Sequence, residues 1–171
     1  SITTTIMKIR KSVSTIEVAS QKAANVIRAL KSYVRNDNVH SATVFDVRRS
    51  INDILLLFSN QLKKGVELHV EMDEQLLLQG NESELSKVWS NLIANALYAM
   101  NYSGNLWIKG RTDSLNVILE FINDGPTIPE DVMARLFEPF YTTKPIGEGS
   151  GMGLSIVFNI IASMNGSIEA E

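Results

Sequence analysis

Apolar positions along the chain follow three different periods, and each predicts a different kind of element. In the first segment Ile6, Ile9, Val13, Ile16, Ser20, Ala23, Ile27, Leu30 and Val34 recur at spacings of three and four, a heptad seam sustained for about four heptads. That pattern predicts a long helix over residues 1–38 that packs on a partner helix. Asn36-Asp37-Asn38 would end it, and residues 39–45 would form a linker. From residue 46 onward the periods alternate between helix and strand. Val47 to Leu62 reads as an amphipathic helix, Val66 to Met72 as a half-buried strand with His69 on its polar face, and Leu76 to Leu78 as a short strand. Asn81-x-x-Glu84 resembles a capping box opening a helix that runs to Met100, with Leu85, Val88, Leu92, Ala96 and Ala99 as its buried stripe. Asn105 to Thr112 and Leu115 to Ile122 read as a hairpin around Asp113-Ser114. Glu130 to Leu136 is a short helix, and Gly151 to Met164 a longer one closed by Gly166. Helices on one face of a mixed sheet give an α+β fold, a two-layer α/β sandwich over residues 46–171, preceded by the long helix.

Two features of this layout invite a functional reading, although a glycine-rich loop by itself is as readily a mobile connection. Asn91 and Asn95 lie four apart on the helix, hence stacked on one face beside the buried stripe, where asparagine is a poor helix former. A carboxamide oxygen is a hard ligand suited to Mg²⁺, which takes few protein ligands and relies on phosphates and water for the rest. The second feature is Gly147-Glu148-Gly149-Ser150-Gly151-Met152-Gly153-Leu154, four glycines at alternate positions running into a helix. Glycine lets backbone N–H groups approach an anion closely, and the helix start points its positive dipole end to the same place. The spacing is neither GxGxxG, because Met152 stands where the third glycine belongs, nor a Walker loop, because no Gly-Lys-Ser/Thr follows.

Composition narrows the classes further. A net charge of -3 over 171 residues argues against a dedicated nucleic-acid surface, and the absence of cysteine removes disulfides and thiolate metal sites. His40 and His69 do not make a zinc site. No apolar run approaches the roughly 20 residues of a membrane span and no signal peptide is visible, so a soluble, cytoplasmic fragment without membrane contact is expected, whatever anchors its parent.

Between the asparagine helix and the glycine loop lie Asn123-Asp124-Gly125-Pro126-Thr127-Ile128-Pro129 and Phe137-Glu138-Pro139-Phe140-Tyr141-Thr142-Thr143-Lys144. In this order the segments resemble the ATP-binding domain of sensor histidine kinases, in the Bergerat-fold superfamily that includes DNA gyrase. Asn91 to Ala96 is similar to the family's N box, Asn123 to Pro129 to its first glycine box, Phe137 to Phe140 to its F box and Gly147 to Leu154 to its second glycine box; the likeness covers roughly residues 45 to 168. It implies ATP and Mg²⁺ as cofactors, with Asn95 as metal ligand and Asn91 as a phosphate or ligand-orienting contact. Lys144 would neutralise the outer phosphates, and Asn91, Asn95 and Lys144 form the catalytic set. Asn123, Gly125, Thr127, Tyr141, Thr142, Thr143, Gly149, Ser150, Gly151, Met152, Gly153 and Leu154 would complete the nucleotide contacts, with residues 137–150 as a lid.

The resemblance also sets out departures. The family's first glycine box usually begins Asp-x-Gly-x-Gly, its Asp accepting from the adenine amino group, whereas here Asn123 and Thr127 stand at the first and last of these positions. Asp124 is a nearby alternative acceptor, although strand alternation points it the other way. Thr127 should restrict a turn where glycine gives freedom. Ile2 to Arg35 looks like the second helix of the dimerising hairpin, without the first helix that bears the phosphoacceptor His, and the last strand pair of the domain is incomplete. The expected function is phosphoryl transfer from ATP to a His outside this chain and then to a response-regulator Asp, with homodimerisation through the N-terminal helix and no autophosphorylation by this chain alone. Hydrolysis is disfavoured because Asn91 stands where ATPase relatives carry a glutamate base. The remaining alternative is a non-catalytic nucleotide-binding dimerisation module.

Overall fold

The computed structural model describes residues 42–171 and eight separate positions between 6 and 16. Those eight are helical and exposed, among them the seam residues Ile6, Ile9, Val13 and Ile16. The rest of the heptad seam, the helix end at residues 36–38, the linker up to residue 41 and His40 lie outside the described residues.

Residue 43 already belongs to a strand. β1 (Thr43–Asp46) pairs antiparallel with β3 (Leu77–Gly80), so the last residues assigned to the linker are a sheet edge. Asp46 then caps α1 (Val47–Leu57), its carboxylate accepting from the Arg48 N–H at 2.9 Å. Val47, Ile51 and Leu55 recur every four residues and bury the inner face of α1. The helix expected to continue to residue 62 breaks at Phe58, whose N–H is shared between the carbonyls of Ile54 and Leu55, and resumes as α2 (Ser59–Leu62). Phe58 and Leu62 still pack on the core, so the break leaves the apolar spacing intact and periodicity could not reveal it.

β2 (Val66–Met72) runs parallel to β4 (Gly104–Asp113), which pairs antiparallel with β5 (Asn116–Asn123), giving the order β2-β4-β5. Leu68, Leu106 and Ile108, with Val117, Leu119 and Phe121, turn one face inward. His69, Trp107 and Ile122, neighbours in register, lie on the opposite face. The hairpin turns one residue later than expected: Asp113 pairs with Asn116, Ser114 takes a left-handed φ of 52°, and Leu115, assigned to the strand, is exposed at the tip.

The inward face is covered by α3 (Glu82–Ala99), flanked by α1 and by α5 (Gly153–Ser163). Trp89 of α3 stacks on Phe121 at 6.0 Å. Because α3 has neighbours on several sides, its buried set widens to Leu85, Val88, Trp89, Ile93, Ala96 and Leu97, while Leu92 is half-buried and Ala99, expected in the core, is exposed. α4 (Glu130–Met133) is shorter than expected. α5 begins two residues later than expected and closes on Asn165 rather than Gly166. Asn165 has φ 57°, the Gly166 N–H reaches the Ile161 carbonyl at 3.0 Å and the Asn165 N–H that of Ala162 at 3.0 Å, the two bonds of a Schellman motif. The architecture is the expected two-layer α/β sandwich.

Candidate nucleotide-binding site

The start of α3 is fixed by Asn81, whose side-chain oxygen accepts from the N–H groups of Ser83 at 3.0 Å and Glu84 at 3.2 Å. With the helix thus in register, Asn91, Asn95 and Ala99 stack along one side, none of them in the core. Three clusters of the residues the sequence singled out meet this stripe.

At its first position Asn91 donates from Nδ2 to the Lys87 carbonyl at 2.8 Å, which commits the amide nitrogen and leaves Oδ1 turned toward Gly153. That oxygen lies 2.6 Å from where a Cβ on Gly153 would sit, so the start of α5 approaches α3 only because residue 153 has no side chain. No side chain caps α5, and its first N–H groups are left for another acceptor. Ser150 Oγ accepts from the Met152 N–H at 3.3 Å, while Met152 itself is buried beneath the turn and its carbonyl accepts from Ser155 Oγ at 3.0 Å.

One turn along, Asn95 Oδ1 accepts from Lys144 Nζ at 3.2 Å, and the same ammonium lies 4.2 Å from the centre of the Tyr98 ring. Tyr98 donates its hydroxyl to Glu148 Oε2 at 3.0 Å, and this bond, followed by burial and the Glu148 charge, raises the phenol's pKa. Burial pushes the Lys144 ammonium below the usual lysine value, and the Glu148 carboxylate opposes that shift. The backbone of residues 142–149 folds tightly around this group. The Lys144 N–H donates to Thr142 Oγ1 at 3.1 Å, and a Cβ on Gly149 would stand 2.9 Å from that oxygen. Gly151 has φ 67° and backs onto the main chain of Phe140, which is itself left-handed at φ 67°. Phe137 packs on Phe158 of α5, ring centroids 5.7 Å apart.

At the third position the first glycine box meets the end of α3. A Cβ on Gly125 would lie 3.0 Å from the Ala99 carbonyl carbon, and Asn123 Oδ1, at the end of β5, accepts from the Gly125 N–H at 3.0 Å. Asp124 points away, as strand alternation requires. Its carboxylate accepts from the Asn105 main-chain N–H at 2.9 Å and from Asn105 Nδ2 at 2.8 Å, bonds that lower its pKa, the side-chain bond most. It therefore faces β4 and not the stripe. Thr127 is exposed and not among the left-handed residues, so the backbone restriction expected there stores no strain.

The structure thus gathers Asn91 with Gly153, Asn95 with Lys144, Thr142 and Gly149, and Asn123 and Gly125 with Ala99. Tyr141 stands apart: the Arg135 guanidinium covers its ring at 4.3 Å and also bonds Glu138 at 2.9 Å. Thr143 is exposed. Sequence reasoning missed Tyr98 and Glu148, although Tyr98 lies three residues after Asn95 and so on the adjoining helix surface. His69 sits on the outer sheet face, stacked on Trp107 at 5.2 Å with Nε2 3.1 Å from Asn105 Oδ1, away from the stripe.

Among the described residues no group of three or more His, Asp or Glu side chains is placed to hold a metal ion. What the site offers a cation is the carboxamide oxygens of Asn91 and, once Lys144 leaves it, Asn95, a neutral hard donor set that fits Mg²⁺ arriving with phosphates. No helix among the described residues is long and apolar enough to cross a membrane.

The model of one protein family, described as "Histidine kinase-, DNA gyrase B-, and HSP90-like ATPase", matches residues 80–171. The sensor kinase CckA of Brucella abortus is 28% identical over 91% of this chain, and the C4-dicarboxylate transport sensor protein DctB of Pseudomonas aeruginosa 31% identical over 94%. The chain spans 18% and 27% of the lengths of these two relatives. The nucleotide-free catalytic domain of histidine kinase ThkA superposes with a TM-score of 0.67 at 30% identity, over 72% of this chain and 81% of that one.

Proposed function

The chain belongs to the histidine kinase-, DNA gyrase B- and HSP90-like ATPase family, and from that premise we propose that residues 46–171 bind Mg²⁺-ATP along the Asn91–Asn95–Ala99 side of α3 as the catalytic module of a sensor histidine kinase. The observation that carries the reading is the Asn95 to Lys144 contact at 3.2 Å, which brings a cation from the lid onto a helix asparagine 49 residues away in sequence. In this reading the base lies at the Asn123 and Gly125 end. The phosphates run past Asn95 and Lys144 toward the uncapped start of α5, where Gly149, Gly151 and Gly153 let backbone N–H groups approach.

Phosphoryl transfer needs positioning and charge neutralisation more than covalent participation by the protein. Asn95, with Asn91 beside it, would hold the Mg²⁺, which when bound screens the phosphate charge at the transferred group. Lys144 leaves Asn95 and donates to an outer phosphate oxygen, remaining over the Tyr98 ring that the Glu148 bond holds in place. The uncapped N–H groups of α5 supply fixed donors to the same oxygens. Asn91 cannot act as a base, because its amide nitrogen is committed to the Lys87 carbonyl and a carboxamide does not accept a proton usefully. The acceptor is accordingly a histidine on a separate helix, followed by the aspartate of a response regulator, with dimerisation through the N-terminal heptad seam.

Supplying the chain with a helical hairpin that carries an acceptor histidine, together with Mg²⁺-ATP labelled at the γ-phosphate, tests this. Acid-labile label should appear on the hairpin and not on His40 or His69. Label on either of those two, or none on the hairpin despite nucleotide binding, would refute the transfer step.

A further inference from the structure

Asp124 turns away from the asparagine stripe, and Asn105 holds it there. Asp124 Oδ1 accepts from the Asn105 main-chain N–H at 2.9 Å, Oδ2 accepts from Asn105 Nδ2 at 2.8 Å, and the Asp124 N–H donates to the Asn105 carbonyl at 3.3 Å. Gly104, at a φ of 133°, has no side chain to obstruct the carboxylate. The carboxylate, whose pKa these bonds lower, only accepts, so the Asn105 atom facing it is the amide nitrogen and Oδ1 points the other way. There Oδ1 meets His69 Nε2 at 3.1 Å, and because a carboxamide oxygen is an acceptor, that nitrogen carries a hydrogen and donates. The imidazole is held for this bond by its stack on Trp107, with centroids 5.2 Å apart and planes 13° from parallel. Glu67 Oε1, at 3.8 Å from the same nitrogen, is beyond hydrogen-bond reach. A directed chain of hydrogen bonds thus runs from the outer face of β2 across β4 to residue 124.

Residue 124 lies between two residues of the candidate site. Asn123 Oδ1 accepts from the Gly125 N–H at 3.0 Å, and Gly125 backs onto the main chain of Ala99 at the end of the stripe. We propose that His69 and Asn105 are positioning residues for the nucleotide: from the outer face of the sheet they orient the Asp124 carboxylate, and so set how the turn from Asn123 to Gly125 meets the base. The inference rests on the reading above, in which the base lies at this turn. Neither residue touches the nucleotide. Without the His69 donor, Asn105 Oδ1 loses its partner and the carboxamide is free to rotate, which would bring Oδ1 against Asp124 Oδ2, acceptor against acceptor. Asp124 would then keep only its main-chain bonds, and the turn would be held less firmly. Asn95, Lys144 and the start of α5, at the phosphate end, take no part in this chain.

The test compares the whole chain with two variants. His69→Phe keeps an aromatic ring over Trp107 and removes the donor, whereas His69→Gln gives up the ring and keeps a nitrogen donor at nearly the same reach. Calorimetric titration gives the affinity for Mg²⁺-ATP, and amide hydrogen exchange without nucleotide reads the turn at Asn105 and Gly125 and the core at Ile93 and Leu97. In His69→Phe the affinity should fall about threefold to tenfold, the range that one neutral hydrogen bond spans, and the Asn105 and Gly125 amides should exchange faster. Ile93 and Leu97 should exchange as in wild type, and His69→Gln should restore both the affinity and the protection of the turn. Unchanged affinity in His69→Phe would overturn the inference while leaving the nucleotide site standing. Faster exchange at Ile93 and Leu97 to the same degree, or a His69→Gln as impaired as His69→Phe, would overturn it too, since the residue would then act through general stability or through its ring. Binding of no nucleotide by the unaltered chain would refute the proposed function itself, and this inference with it.

Discussion

Replacing Lys144 by methionine removes one charge from the site and little else, and its effects on stability and on binding should separate. In the protein without nucleotide, Lys144 donates one hydrogen bond to Asn95 and lies over the Tyr98 ring. A hydrogen bond from a charged group contributes about 1.5–3 kcal/mol and a partly exposed cation over an aromatic ring about 0.5–1 kcal/mol. Against these stands the desolvation that depresses the ammonium's pKa, an unfavourable contribution that methionine removes. The opposing effects largely cancel, so Lys144→Met should change stability by no more than about 1 kcal/mol. Binding has no such cancellation. A unit charge 4 Å from a phosphate charge at an effective dielectric of about 20 gains roughly 4 kcal/mol, and solvent screening at a half-open site leaves about half of it. The affinity for Mg²⁺-ATP should therefore fall about tenfold to a hundredfold. Thermal melting and calorimetric titration of wild type, Lys144→Met and Lys144→Arg measure both quantities. Because burial lowers the Lys144 pKa, the folded chain binds fewer protons than the unfolded one between the folded and unfolded values, and this group's contribution to stability rises with pH through that window. Affinity for nucleotide should fall over the same rise as the ammonium deprotonates. Lys144→Met binding Mg²⁺-ATP as tightly as wild type would refute the reasoning.

Asp124→Ala frees Asn105 and loosens the turn that carries Gly125. The Asp124 pKa is lowered in the folded protein, so its contribution is present above the unfolded carboxylate value and is lost as pH falls through the folded one. Acid unfolding of wild type should therefore be steeper in that window than that of Asp124→Ala, and identical profiles would contradict the assignment. Gly151→Ala forces a Cβ onto the Phe140 backbone at a left-handed position, at a cost of about 1–2 kcal/mol before the clash is counted. Its amide exchange over residues 140–151 should accelerate without nucleotide, and unaltered protection would show that the lid does not depend on that approach. Residues 142–150 should exchange more slowly when Mg²⁺-ATP is bound, and equal rates in both states would contradict their role as a lid. Sedimentation should show a dimer that Ile9→Asp and Ile16→Asp weaken, and a monomer at high concentration would leave the heptad seam without a partner.

How far the site was legible depended on which interactions set each residue. Asn91 and Asn95 were legible because helix period alone stacks them, and the Asn81 cap that fixes the period is itself a sequence pattern. The turning of Asp124 away from Asn123 followed from strand alternation. The glycine positions were legible as a group, but what each one permits was not: Gly153 admits Asn91 and Gly151 admits Phe140, contacts across 62 and 11 residues that no local rule specifies. The Tyr98–Glu148 bond was hidden for the same reason, since it joins two segments 50 residues apart. In the fold, β1 was missed because Thr43–Asp46 is a four-residue edge strand that pairs, among the described residues, with β3 alone. Phe58 breaks a helix without disturbing its apolar spacing, and the Ser114–Leu115 turn slid by one residue because Ser114 tolerates the left-handed region without being a glycine.

The claim on which the rest depends is that Asn95 brings Mg²⁺ and ATP together on α3. The direct measurement is calorimetric titration of wild type and Asn95→Ala with ATP, each with Mg²⁺ and with a chelator, alongside their melting curves. Asn95 lies outside the core but accepts from Lys144 Nζ, so the variant should stay folded and melt somewhat below wild type, while wild type binds one ATP in a Mg²⁺-dependent manner and Asn95→Ala loses at least tenfold in affinity together with the dependence on the metal. Equal ATP affinity in both proteins, or binding indifferent to Mg²⁺ in wild type, would contradict the account.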